Sequence, residues 1–222
     1  MNNLPKGQSY LCGQANEPLL YETIGACVER IAATYPDKEA LVVRHQNIRW
    51  TFSEYKSRID ALAAGLVSLG VEPGDRVGIW SPNRVEWCLT QFATAKIGAI
   101  MVCINPAYRP YELEYALNKV KCQTIITAAQ FKTSEYLQML QEMAPELATC
   151  EPGELKSIKL PHLTTVIRMG DAVSPGMFNF DKVCEMGEDT HYDRMAEIAP
   201  TVILGEDDLF KEFKGSLTEQ FV

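Results

Sequence analysis

The fold is decided by two stretches, residues 74–87 (GDRVGIWSPNRVEW) and residues 100–113 (IMVCINPAYRPYEL). In each, a short apolar run of strand type gives way to a loop that contains proline, which cannot donate to the hydrogen-bond ladder of a sheet. Asn83 and Glu86 have the spacing of a capping box, which predicts a helix over residues 84–97. Strand, loop, helix and second strand in this order predict a parallel βαβ unit.

The pattern continues on both sides of this unit. Residues 100–104 are continuously apolar, which predicts a strand covered on both faces. Thr51 and Glu54 form another capping-box spacing before an apolar helical stripe. Further elements are predicted as a hairpin over 39–44 and 48–50, and strands over 124–129 and 163–169. This alternation predicts an α/β fold with a doubly wound, mostly parallel sheet and flanking helices.

Three segments are expected along the chain. Residues 1–20 hold two prolines and two glycines and are predicted to form an extended arm. Residues 21–200 carry the α/β pattern and are predicted to form one subdomain. Residues 201–222 depart from the pattern and are predicted to be a divergent tail, either an amphipathic helix or a frayed end.

Composition limits the class of protein. The net charge of -8 and the pI near 5.0 argue against a binder of nucleic acid or of anionic membranes, which needs a basic face. No apolar run approaches the roughly 20 residues of a transmembrane helix. The first residues show neither a signal-peptide core nor an arginine-rich amphipathic pattern, so a cytoplasmic protein is expected.

The seven cysteines include no Cys-x-x-Cys pair, and they are expected to be reduced structural thiols, with a zinc site as the lesser alternative. His45, His162 and His191 match no ligand spacing. No metal ligand and no catalytic residue is therefore predicted.

Several motifs together point to a family. Residues 40–44 (ALVVR), 51–54 (TFSE), 74–87 and 105–117 resemble the amino-terminal part of AMP-forming acyl-CoA synthetases of the adenylate-forming superfamily, near the medium-chain fatty-acyl branch. The likeness covers roughly the first 180 residues. It implies part of the large N-terminal domain of such an enzyme, which converts ATP, fatty acid and CoA to acyl-CoA, AMP and pyrophosphate. It also implies ATP, Mg and CoA for the complete enzyme, with none assigned to this chain.

The family's glycine-rich phosphate loop does not occur in the 222 residues, and residues 214–216 (KGS) lack the spaced upstream glycine. The chain is therefore expected not to adenylate acids by itself, and whether it is an enzyme stays open. One alternative is a non-catalytic binding or assembly module derived from this fold. Another is an independent nucleotide-binding α/β enzyme, which the missing loop makes the weakest of the three.

By the same resemblance, two loops at the carboxyl ends of strands face CoA, where open parallel sheets bind their ligands. The candidate residues are Asn105, Ala107, Tyr108, Arg109 and Lys132. The alternatives are that Tyr108 packs, that Arg109 pairs with Glu112, and that Lys132 is a solvated loop lysine. A sheet face left uncovered in this chain also predicts self-association.

Overall fold

The fold is known from a computed structural model, which describes residues 22–198. The arm expected over residues 1–20 and the tail expected over 201–222 lie outside these residues. None of the helices within 22–198 has the length and apolar character needed to cross a bilayer.

Helices and strands alternate through most of residues 22–198, as the sequence pattern predicts, and a short strand that was not predicted lies at Phe178–Asn179. The helices are α1 Ile24–Thr34, α2 Phe52–Ser68, α3 Val85–Lys96, α4 Pro110–Lys119, α5 Tyr136–Met143, α6 Phe180–Glu185 and α7 Asp189–Ile198. The strands are β1 Glu39–Val43, β2 Ile48–Thr51, β3 Arg76–Trp80, β4 Ile100–Ile104, β5 Thr124–Thr127, β6 Thr165–Arg168 and β7 Phe178–Asn179. Short 3-10 turns lie at Arg44–Gln46 and Pro145–Ala148.

The main sheet has five parallel strands in the order β4-β3-β5-β6-β7, and β1 and β2 form a separate antiparallel hairpin. β3 therefore has β4 on one side and β5 on the other, with Val77 opposite both Met101 and Thr124. The crossover from β3 to β4 and the crossover from β4 past β3 to β5 run in opposite directions along the sheet, and because both are right-handed they place α3 and α4 on opposite faces. The predicted doubly wound α/β fold is confirmed.

The core lies between the sheet and the helices. On the α3 side, α1 and α2 pack on α3, and α6 and α7 pack on α2. On the other side, α4 contacts α5. The predicted stripe of α2 is buried, with Ile59, Leu62 and Leu66 all at 0% exposure. The tightest approach is at Gly65 of α2, where a Cβ atom would lie 2.0 Å from the carbonyl oxygen of Val183 in α6.

Local capping signals were partly correct. The Thr51 hydroxyl accepts from the Glu54 N–H at 3.3 Å and the Glu54 carboxylate accepts from the Thr51 N–H at 2.8 Å, so this capping box is confirmed. The one predicted at Asn83 is wrong. Arg84 is the N-cap of α3 and makes no side-chain cap, because a guanidinium has no hydrogen-bond acceptor, and the Glu86 carboxylate binds this guanidinium.

The burial predicted for residues 100–104 is wrong, although the strand is confirmed. β4 is an edge strand of the five-stranded sheet, its first three residues are half-buried, and Cys103 is exposed. Apolar composition predicted a strand covered on both faces, but a strand's position in the sheet is set by pairing between distant segments, which local composition does not specify.

Candidate functional site

The carboxyl ends of β3, β4 and β5 lie at one edge of the sheet. The chain leaves β3 to form β4 on one side of it and then crosses back to form β5 on the other side. This reversal of direction makes a topological switch point beside the carboxyl end of β3. Ligands of open α/β sheets bind at such a point, outside the carboxyl ends of the strands. All five predicted site residues lie on the loops that follow β4 and β5.

The loop after β4 is a tight turn. The side-chain oxygen of Asn105 accepts from the Ala107 N–H at 2.9 Å, and the Asn105 carbonyl oxygen accepts from the Tyr108 N–H at 3.0 Å. Tyr108 is half-buried and packs against the core. Asn105 therefore stabilises the turn and Tyr108 packs against the core, while Ala107 is exposed on the turn. Whether these residues also face CoA stays a prediction.

Arg109 connects this loop to the next one. Its backbone N–H donates to the Glu112 carboxylate at 3.1 Å, and its guanidinium Nη1 donates to Ser134 Oγ at 2.9 Å. Within residues 22–198 the Arg109 side chain forms no ion pair with Glu112, whose carboxylate instead accepts from the Arg109 backbone at the start of α4. Pro110 is the first residue of this helix, as its position in the sequence predicted.

Lys132 lies on the loop after β5. Phe131 and Ser134 exchange backbone hydrogen bonds of 2.9 Å, and Lys132 between them has a φ of 53°, in the left-handed region. Its Nζ is 5.2 Å from the centroid of the Phe131 ring. Within residues 22–198, neither Arg109 nor Lys132 has a carboxylate as an ion-pair partner. Two exposed cations on neighbouring loops form a surface suited to anionic groups.

An aromatic pair lies beneath these loops. The rings of Trp80, at the end of β3, and Tyr136, at the start of α5, stack with centroids 3.8 Å apart and an angle of 13° between them. The Tyr136 hydroxyl donates to the carbonyl oxygen of Pro106 at 2.5 Å. We had not predicted a role for either residue, because contacts between residues so far apart in sequence leave no local spacing signal.

A second polar region is a cavity of about 390 Å³ between the β1–β2 hairpin, α2, α3 and α6. Within it, Gln46 bridges elements by accepting from the Val85 N–H at 2.7 Å and donating to the Glu86 carboxylate at 3.0 Å. Burial alone would raise the pKa of Glu86, but hydrogen bonds from Arg84 and Gln46 outweigh it and hold the pKa below 4.5. Asp181 differs: burial, together with nearby carboxylates such as Glu86, raises its pKa.

The polar groups of this cavity mostly satisfy one another. The Arg84–Glu86 ion pair closes at 2.7 Å, and the Arg58 guanidinium lies 4.3 Å from the Trp50 ring. The cavity is also not lined by the loops of the predicted site. The arrangement fits a structural role in anchoring the hairpin to the start of α3. Within residues 22–198, no group of three or more His, Cys, Asp or Glu side chains is placed to hold a metal ion.

Comparison with known proteins adds to this geometry. Residues 28–204 match the family described as "AMP-binding enzyme". The chain is 46% identical over 187 residues to the medium-chain acyl-CoA ligase ACSF2, mitochondrial, of Mus musculus, which covers 84% of this chain and 30% of the relative. The Bos taurus protein of the same name is 47% identical over 181 residues, or 82% of this chain and 29% of the relative. The chain thus spans about 30% of the length of these curated relatives.

A solved structure supports the fold alone. The crystal structure of a long-chain-fatty-acid-CoA ligase (FadD1) from Archaeoglobus fulgidus superposes with a TM-score of 0.62 at 20% identity, covering 81% of this chain and 33% of that one. The resemblance to the amino-terminal part of AMP-forming acyl-CoA synthetases is confirmed by these matches.

The expected cytoplasmic location is contradicted, because the mouse, cow and human relatives are all named as mitochondrial. Net charge and the sequence pattern of the first residues do not determine subcellular location, because targeting signals are read by receptors and are not a property of the folded domain.

Proposed function

Since the chain belongs to the family of AMP-binding enzymes, we propose that it is the amino-terminal portion of a fatty-acyl-CoA synthetase. In the complete ligase, the carboxylate of the fatty acid attacks the α-phosphorus of ATP and releases pyrophosphate. The CoA sulfur then attacks the acyl carbonyl of the adenylate, and AMP leaves as the thioester forms. The observation that carries the proposal is the 46% identity over 187 residues to a medium-chain acyl-CoA ligase.

We further propose that this portion contributes one wall of the CoA site. Arg109 and Lys132 would meet phosphate oxygens of the CoA nucleotide, and the turn at Asn105 and Ala107 would bring backbone close to it. Both cations lie at the carboxyl edge of the sheet without a carboxylate partner in residues 22–198, which supports this role. Tyr108, which packs, is proposed to shape the loop.

The complete ligase is proposed to use ATP, Mg and CoA and to act on medium-chain fatty acids, as the names of the relatives suggest.

By themselves, the 222 residues are proposed not to adenylate fatty acids, since their sequence contains no glycine-rich phosphate loop. The test is octanoate-dependent exchange of pyrophosphate into ATP by the purified chain. The expected result is exchange at the background rate, and exchange above background would refute this part of the proposal.

The ligase role is tested with a hybrid in which residues 28–198 replace the matching segment of the mouse relative. We expect the hybrid to form octanoyl-CoA. The alternative is that the chain is a non-catalytic binding or assembly module. A hybrid that melts cooperatively near the temperature of the mouse enzyme but forms no acyl-CoA would favour the module.

We propose a mitochondrial location for the protein, on the basis of the relatives' names. Fractionation of source cells, followed by detection with an antibody to residues 28–198, tests it. The protein should sediment with mitochondrial markers, and recovery only with cytosolic markers would contradict the proposal.

A further inference from the structure

The two loops of the proposed CoA wall are joined across a strand. They follow β4 and β5, which are not neighbours, because β3 lies between them. Two hydrogen bonds bridge this gap, one from the Tyr136 hydroxyl to the Pro106 carbonyl at 2.5 Å and one from Arg109 Nη1 to Ser134 Oγ at 2.9 Å. The loops are therefore held together at two points over the end of β3.

Tyr136 makes the more rigid of these two bonds. It is 0% exposed, and its ring is fixed against Trp80, which is also 0% exposed. The hydroxyl is therefore presented to Pro106 in one orientation. Tyrosine is protonated and able to donate at neutral pH at its ordinary pKa, and burial raises the pKa of Tyr136 further, to about 12.

The hydroxyl is not needed to fill the core, because a phenylalanine ring would occupy the same stacked position. What the hydroxyl adds is a contact to the loop that presents Arg109. The spacing between Arg109 and Lys132 depends on how the two loops are held, and two cations bind a phosphate pair more tightly when that spacing is held in advance.

We propose that Tyr136 is a positioning residue, which holds the loop of residues 105–109 against the turn of residues 131–134 and so sets the spacing of Arg109 and Lys132 for the phosphates of CoA. The identity of the ligand, CoA, rests on the proposed function. The contact that Tyr136 makes between the loops does not depend on it. In the proposed role, Tyr136 touches no part of CoA and acts through the backbone of Pro106.

The test is the variant Tyr136→Phe in the full 222-residue chain, which keeps the ring and removes the hydroxyl. Two quantities are measured: the amide exchange rates of Ala107 and Tyr108, and the calorimetric Kd for CoA. Loss of one net hydrogen bond is expected to speed exchange at both amides by roughly three- to tenfold and to weaken CoA binding by a similar factor.

The matched control is Tyr55→Phe, which removes another buried tyrosine hydroxyl, bonded to the Cys88 carbonyl at 3.0 Å in the α2–α3 interface. It should leave the exchange of Ala107 and Tyr108 and the Kd for CoA unchanged. Unchanged exchange in Tyr136→Phe, or equal effects of both variants, would overturn the inference.

A parent chain that binds no CoA would count against the proposed CoA wall, and with it the ligand in this inference. The exchange rates would then still decide whether Tyr136 holds the loop. Faster exchange together with an unchanged Kd in a parent that does bind CoA would overturn the positioning role.

Discussion

The guanidinium of Arg109 donates to Ser134 Oγ at 2.9 Å, although the two residues belong to loops that follow different, non-neighbouring strands. Only one nitrogen of the guanidinium is used in this bond, and Arg109 is exposed and has no carboxylate ion-pair partner in residues 22–198. Arg109 therefore both joins the loops and leaves donors for an anion.

Replacement of Arg109 is expected to separate these two roles. Arg109→Lys keeps the charge but loses the planar fork, and Arg109→Ala loses both. The Kd for CoA of the chain should rise in the order wild type, Arg109→Lys, Arg109→Ala, with the alanine variant weakened by about tenfold. Equal Kd values for all three proteins, measured by calorimetry at low salt, would remove Arg109 from the site.

A buried ion cluster holds the helical layer together. The Lys96 ammonium pairs with the carboxylates of Asp60 and Glu29, and its side chain is 9% exposed. In Lys96→Met the Asp60 carboxylate stays largely buried with Lys56 as its remaining partner, at 2.5 Å. We expect the free energy of unfolding to fall by roughly 2–3 kcal/mol, because a buried charge loses a partner.

The control for this cluster is Lys182→Met. Its partner Glu185 lies at 2.6 Å in an exposed pair, with side chains 72% and 64% exposed, so urea melts should not resolve a change. If Lys96→Met were as stable as Lys182→Met, the cluster would not stabilise the fold.

The lowered pKa of Glu86 predicts how the melting temperature depends on pH. Its pKa is lower in the folded chain than its ordinary 4.5, so its contribution is fully present above that value and is lost as the pH falls through the folded pKa. In Glu86→Gln, the decline in melting temperature below about pH 4.5 should be shallower than in the wild type. Parallel decline in both proteins would show that Glu86 is not held in its ion pair.

Asp181 provides a control for the melting experiment, because its pKa is shifted in the opposite direction to that of Glu86. The pKa of Asp181 is raised, so its ionised form opposes folding at neutral pH and this penalty is relieved as the pH falls through the folded pKa. Asp181→Asn should therefore raise the melting temperature at pH 7 and lose that advantage in acid. A lower melting temperature for Asp181→Asn at pH 7 would contradict the direction of this shift.

We propose that the chain self-associates by pairing of the edge strand β4 with a strand of a second copy. The Ile100 N–H donates to the Asp75 carbonyl at 2.7 Å, toward β3, so the backbone groups of Met101 and Cys103 face outward. The strand has no charge, proline or bulge to prevent pairing with another strand.

Light scattering over a concentration series should show dimers or larger species of the wild-type chain. Cys103→Lys, which places a charge at the exposed position, should shift the chain toward monomer, while Cys103→Ser should not. A wild-type chain that stays monomeric, or equal masses for both variants, would contradict this proposal.

The features that could be predicted from the sequence are those formed by residues close together in the chain. The βαβ unit, the hairpin and the Thr51–Glu54 capping box follow from local periodicity and spacing, and the structure confirms them. The edge position of β4 and the Tyr136–Pro106 bond depend on which distant segments meet, so local patterns could not indicate them. The capping box predicted at Asn83 is wrong in part because of a contact between distant residues. The Glu86 carboxylate accepts from Gln46 of the separate hairpin, as well as from the neighbouring Arg84.

The site was predicted only in outline. Placing candidates at the carboxyl ends of strands gave two loops that the parallel topology brings to one edge of the sheet, and their role toward CoA stays a prediction. It did not distinguish Asn105, whose side chain is used within its own turn, from Arg109 and Lys132, which have free donors. That distinction depends on hydrogen-bond partners.

The most direct test of the CoA wall is amide exchange of the wild-type chain with and without saturating CoA. Bound CoA should slow exchange in residues 105–109 and 131–134 and leave the hairpin of residues 39–51, which lies outside the proposed contact, unchanged. Unchanged exchange in both loops, or protection confined to the hairpin, would contradict the proposed CoA wall.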